Sequence, residues 1–174
     1  MSLNEITLSP YLLTQLYPAT LIESQKNADS LHEEVNEQKK TDETIEWKTL
    51  GNNQKQVLVV VDYSDIPNLP DSQFEFLIQL LKACQLSLND VALINFNNYK
   101  NINNTDILSR FQSKIVLMFG VSPQQFGFPF NTPAYQVQSF TTYTVTHAPA
   151  LEDLQNDKNA KGQLWASLKK IFNL

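Results

Sequence analysis

Apolar residues in this chain come in short unbroken runs separated by longer stretches of helical spacing. Residues 56–63, QVLVVVDY, hold four valines and a leucine in one unbroken apolar run. Such a run with no polar alternation predicts a strand buried on both faces. DVALINFNN (90–98) and KIVLMFG (114–120) repeat the signature, the latter stopped by Gly120. AYQVQSFTTYTVTH (134–147) is a fourth extended region with partial alternation. The spacing places strands near 56–62, 91–96, 114–119 and 137–146.

Between these runs the period changes. In DSQFEFLIQLLKAC (71–84), Phe74, Leu77, Ile78 and Leu81 recur at helical spacing. NTDILSRFQS (104–113) reads as a short helix capped by Asn104 or Thr105. A closing helix starts near Asn156 or Asp157, either able to cap it, and turns Ala160, Leu164, Trp165, Leu168 and Ile171 inward. Lys161 then stays at least partly exposed, and the lysines at 158, 161, 169 and 170 form a solvated face. Strands alternating with helices predict an α/β three-layer sandwich with a mostly parallel central sheet.

The region before this domain has a different character. ITLSPYLLTQLYPATLI (6–22) is a short apolar island with a Ser9-Pro10 helix start and a stop at Pro18. Residues 24–44 are polar and nearly free of large apolar groups, so burial there cannot offset ordering entropy. The expected organisation is a partner-binding segment at 1–23, a flexible charged linker at 24–46 and the α/β domain at 47–174. The island has two readings: it packs back on the domain, or it waits for a partner groove and orders on binding.

Charge and composition narrow the function. A net charge of −5 over 174 residues argues against a dedicated nucleic-acid binder, because neutralising phosphates needs a surplus of lysine and arginine. The start lacks a basic region followed by a long apolar run, and no stretch approaches the roughly 20 apolar residues of a membrane span, so a cytoplasmic protein is expected. Cys84, the single cysteine, lies in an apolar helical stretch and reads as a small core residue. His32 sits in the linker as a solvated side chain. Two separated histidines and one cysteine do not make a closed zinc site, and the four glycines form no phosphate loop, so no metal or cofactor is expected. The candidate chemical groups are Asp62 and Asp65 after the first strand, where an α/β sheet usually carries its functional side chains, and His147. The alternative role for the two aspartates is to cap the following turn.

The C-terminal stretch carries a family pattern. APALEDLQNDKNAKGQLW, with Pro149, Ala150, Leu151, Asp153, Leu154, Ala160, Lys161, Leu164 and Trp165, resembles the end of the psi subunit of bacterial DNA polymerase III. That family shows Pro-Ala-Leu, then Asp-Leu, then a basic residue three before Leu-Trp. Psi has the fold of the uracil-DNA glycosylases, whose ending of His-Pro-Ser, a leucine and a lysine four residues before a tryptophan is related. By position His147 looks like their active-site histidine, and Lys161 and Trp165 keep the lysine-to-tryptophan spacing. The resemblance covers roughly residues 50–172, with the specific part in the last thirty.

The resemblance implies a glycosylase-like fold and a non-catalytic accessory subunit of the replicative polymerase. Leu8, Leu12, Leu13, Leu16, Tyr17 and Leu21 would form the clamp-loader-binding peptide, and the domain would meet a second, chi-like subunit. A catalytic glycosylase of this kind needs a glycine-rich acidic loop after the first strand. Here that place reads VDYSDIPNLP, with no glycine; His147-Ala148-Pro149 inserts an alanine, and Ala150 stands for the serine. Iron–sulfur versions need four cysteines. His147 is then expected to be a relic or a packing histidine. Two rivals stand beside this reading: a divergent uracil-DNA glycosylase using Asp62 or Asp65 with His147, and an interaction module with no replication role.

Overall fold

The computed structural model describes residues 46–64 and 69–174. The N-terminal island (Leu8, Leu12, Leu13, Leu16, Tyr17, Leu21), the linker with His32, and Asp65 lie outside the described residues.

Ten elements follow in order: β1 (Val57–Val61), α1 (Asp71–Ala83), β2 (Val91–Asn95), α2 (Asn104–Phe111), β3 (Ile115–Phe119), α3 (Pro123–Phe126), β4 (Gln138–Phe140), β5 (Tyr143–Ala148), α4 (Leu151–Asn156) and α5 (Lys158–Phe172). Short 3-10 turns at Leu88–Asp90 and Phe96–Tyr99 flank β2. The strands form one sheet in the order β2-β1-β3-β5-β4, parallel except for β4.

The apolar runs divide between two cores by strand pleat. Val57, Val59 and Val61 enter one cluster with Leu93, Leu117 and Phe119, while Leu58 and Val60 enter the other with Ile94, Val116 and Met118. Successive side chains point to opposite faces, so a strand covered on both sides must be apolar at every position. All five residues of β1 and of β2 are buried. Leu77 and Leu81 of α1, Leu151 and Leu154 of α4, and Leu164 and Leu168 of α5 cover the first face. Ile107, Leu108 and Phe111 of α2 and Phe126 of α3 cover the second. This is a three-layer α/β sandwich.

The sheet's outer edge at β2 is covered. Leu50 exchanges backbone hydrogen bonds of 2.8 and 3.0 Å with Leu93, and Asn53 N–H donates to Val91 at 3.0 Å. Gly51 makes that approach possible: its φ is +98°, and a Cβ there would run into the carbonyl oxygens of Val91 and Leu88. Trp47 seals the same edge by stacking on Tyr99 with ring centroids 5.1 Å apart.

Several expectations need correction. The extended region at 134–147 is a hairpin of two strands, reversed at Thr141 and Thr142 with Thr141 at φ +54°. Threonine carries no turn signature, so β-propensity reads straight through it. The helix expected at 104–113 ends at Phe111, where Gln112 turns left-handed at φ 46°. Its cap position is Asn103, with no side-chain cap bond, rather than Asn104 or Thr105. Asp157 does cap α5, accepting from Asn159 N–H at 2.7 Å and Ala160 N–H at 3.1 Å. The inward face of α5 is narrower than its spacing suggests. Ala160, Leu164 and Leu168 are buried, but Trp165 and Ile171 are only half-buried because they sit at the rim of the stripe. Lys161 is half-buried, its Nζ donating to Gln155 O at 3.1 Å and lying 5.8 Å from the Phe76 ring centre.

Candidate functional site

From β1 the chain goes outward to β2, then crosses back over β1 to β3. The connections that leave the carboxyl ends of β1 and β3 therefore run in opposite directions and open a crevice of the kind where open α/β sheets bind ligands. Asp62 and Tyr63 leave β1 on one side of this crevice, and Gly120 and Val121 leave β3 on the other. Gly120 turns there at φ +74°, a conformation other side chains rarely adopt.

Two hollows share this end of the sheet, with Val121 and Gln125 lining both. The first, about 280 Å³, is lined by Asp62, Phe96 and Lys100 as well. Lys100 Nζ lies 3.4 Å from Asp62 Oδ1 and 2.9 Å from Asn97 Oδ1, so the aspartate faces a cation. The second, about 460 Å³, is lined by Ser122, Ala134, His147, Pro149 and Asp153 among others. Asp62 lines only the first hollow and His147 only the second.

His147 sits in β5 opposite Met118 of β3. Its Nε2 is 2.7 Å from the carbonyl oxygen of Thr132. A carbonyl can only accept, so Nε2 carries the proton and donates. The histidine's own carbonyl accepts from Tyr135 N–H at 2.8 Å. Both bonds tie the loop before β4 to the sheet.

Asn95 is a site residue that sequence reasoning passed over. It ends β2, is 4% exposed, and grips the loop after β1: Tyr63 N–H donates to its Oδ1 at 3.0 Å, and its Nδ2 donates to Tyr63 O at 2.9 Å. The same Oδ1 accepts from Asn97 N–H at 3.2 Å. The available signal was an amide closing an otherwise apolar strand, since a buried amide must find partners. Tyr63 packs against the first core, and its hydroxyl oxygen is buried without a hydrogen-bond partner among the described residues. Burial, and then the carboxylates of Glu152 and Asp153, raise its pKa.

The motif residues of the C-terminal stretch lie apart from these hollows, except Pro149 and the Ala150 and Asp153 beside it. Leu151 and Leu154 are fully buried in α4 beneath the first sheet face. Lys161 and Trp165 lie on α5, with Trp165 packed against the edge of the same core. Among the described residues, no three His, Cys, Asp or Glu side chains cluster so as to hold a metal ion, and no helix is long and apolar enough to cross a membrane. In comparison with known proteins, no family model and no curated protein matches the chain.

Proposed function

We propose that this chain is a non-catalytic accessory subunit of the bacterial replicative DNA polymerase, psi-like in its domain, with a fold of the uracil-DNA glycosylase type. The observation that carries the reading is the work done by the motif residues. Leu151 and Leu154 are core side chains, and His147 spends its Nε2 proton on Thr132 rather than on a group in the Asp62 hollow. A segment so employed supports a scaffold whose use is to present surfaces. In this reading residues 1–23 bind clamp-loader subunits, the linker gives them reach, and the domain meets a chi-like second subunit. The net charge of −5 fits a protein that works through other proteins more than through DNA.

The test uses the full chain and a form lacking residues 1–23. Immobilised full-length protein should retain purified clamp-loader complex, and the shortened form should lose it while melting within a few degrees of the intact protein. A uracil-release assay on single-stranded DNA runs in parallel. Release of uracil that disappears in His147→Ala would replace this reading with the divergent glycosylase, and capture unaffected by the deletion would remove the role given to the N-terminal segment.

A further inference from the structure

The amino ends of the parallel strands, opposite the crevice, gather a second set of polar groups. Val57, Val91 and Ile115 start β1, β2 and β3 in register. Lys55 lies just before β1 and Lys114 just before β3, and α1 and α2 return to this end with Lys82 and Arg110 in their last turns. All four are exposed, and among the described residues none forms an ion pair. The carbonyl ends of the helices favour cations at Lys82 and Arg110. They do not account for Lys55 and Lys114, which lie outside helices. The charge of the whole chain hides this end. Residues 1–46 hold nine of the 18 acidic residues and three of the 13 basic ones, so residues 47–174 carry ten basic against nine acidic. The deficit that argues against nucleic acid therefore belongs to the N-terminal tract and not to the domain.

Arg110 borders a hollow of about 280 Å³ that Trp47, Thr49, Asn52, Asn53 and Phe111 also line. Trp47 is half-buried and held by Tyr99 stacked on it and by Phe111 edge-on at 5.5 Å. Asn53 Nδ2 donates to Phe111 O at 2.5 Å, which fixes the amide and leaves Oδ1 as an acceptor. That oxygen is buried without a hydrogen-bond partner among the described residues. The hydroxyl of Ser113, two residues past Phe111 and 4% exposed, also lacks one. Among the described residues three buried side-chain polar atoms are unpartnered, and two of them sit in this corner. A buried polar group without a partner calls for one.

We propose that this amino-end face binds single-stranded nucleic acid, with one base in the Trp47 hollow and the flanking phosphates on Arg110, Lys55 and Lys114. Three chemistries meet here, and together they select the occupant. Cations without carboxylates call for an anion, a fixed indole calls for a flat ring, and Asn53 Oδ1 calls for an N–H donor. A nucleotide strand supplies all three, and its phosphates recur along a chain as the cations recur along the row of strand ends. An acidic peptide supplies the anion without the ring. The hollow lies just below the roughly 300–1,000 Å³ of small-molecule sites, so it has room for a ring and not for a large cofactor. The site stands at the far end of the strands from Asp62 and His147, and it does not rest on the clamp-loader reading.

Fluorescence titration of the full chain with a single-stranded oligodeoxynucleotide of about 12 nucleotides reads the site directly. The chain has two tryptophans, and of these Trp47 lines the hollow. Binding should quench the emission and weaken with salt at a log–log slope of about −2, the value for three phosphates on a single strand. Arg110→Gln, at an exposed position, should weaken binding several-fold and make the slope shallower by about 0.7. Lys158→Gln, at the start of α5, should change neither. Trp47→Ala should bind about tenfold more weakly, while Trp47→Phe keeps a ring, binds, and loses the quench. No quench at low salt overturns the proposal, and so does an equal loss in Arg110→Gln and Lys158→Gln. Displacement of the oligonucleotide by a polyglutamate peptide at matching concentration overturns it in favour of an acidic protein segment. A nucleoside monophosphate that binds as tightly as the oligonucleotide overturns it in favour of a free nucleotide.

Discussion

Replacing Leu154 by alanine should destabilise the domain more than replacing the larger Trp165. Leu154 is 0% exposed and sits among Leu151, Leu164 and Leu168 beneath the sheet. Truncating a leucine so enclosed removes its transfer free energy and leaves a cavity, about 2–5 kcal/mol in all. The helix that carries it has six residues and no side-chain N-cap bond, so burial rather than local helix stability holds it in place. Its collapse into the cavity is opposed by the hydrogen bond from Gln155 Nε2 to Ser72 O, 3.1 Å long, which pins α4 to α1. A central value of about 3 kcal/mol follows. With roughly 2.1 cal/mol/K of unfolding entropy per residue over about 130 residues, that loss lowers Tm by about 11 °C. Trp165 is half-buried, so its truncation should cost only about half of the 3–5 kcal/mol of an enclosed aromatic. Thermal melts of the full-length proteins, with urea titrations to check an unchanged m-value, measure both. A loss below about 1 kcal/mol for Leu154→Ala, or a larger loss for Trp165→Ala, would refute the packing argument.

Three further outcomes follow from local geometry. Gly162→Ala should stabilise by up to about 1 kcal/mol, because the position is inside α5 and an added Cβ meets nothing within 4 Å; an unchanged or lowered urea midpoint would contradict this. Asp157→Ala should cost about 1 kcal/mol by freeing the N–H groups of Asn159 and Ala160, and Asp157→Asn should recover most of it in the same titration. Burial pushes the Cys84 thiol up to about 11, so the folded state holds a proton that the unfolded chain releases near 9; stability should fall as pH rises from about 9 to 11, and Cys84→Ala should flatten that part of the profile.

The parallel strands were legible because burial on both faces leaves no room for polar residues, so β1, β2 and β3 announce themselves within a residue of their ends. The hairpin was not legible. Its turn is made by Thr141 and Thr142 inside a threonine-rich run, where strand propensity and turn geometry conflict and tertiary pairing decides. Helix α4 escaped for a related reason: with six residues it is too short to show a helical period, and Leu151 and Leu154 supply only one repeat. At the crevice, Asp62 could be named from the rule that functional groups follow parallel strands. Lys100, Asn95 and Gln125 could not, because Asn95 and Lys100 reach the crevice from the end of β2 and the turn after it, Gln125 reaches it from α3 after β3, and no sequence spacing joins them to Asp62.

The contrast between Asp62 and the C-terminal motif also separates two kinds of resemblance. A catalytic motif is constrained by where side chains must meet a substrate, so its members converge on one cavity. The stretch from His147 to Trp165 does something else. It ends the last parallel strand, turns at Pro149 and Ala150, buries Leu151 and Leu154, caps a new helix with Asp157 and lays Leu164 across the sheet. Each step returns the chain to the first face of the sheet, and only the residues near the turn look into a hollow. A pattern built this way is constrained by packing, and it speaks first to architecture. Architecture alone assigns no activity; the side chains at a site do. At the crevice Asp62 is paired with Lys100 and His147 with Thr132, while the Tyr63 hydroxyl is buried without a hydrogen-bond partner among the described residues.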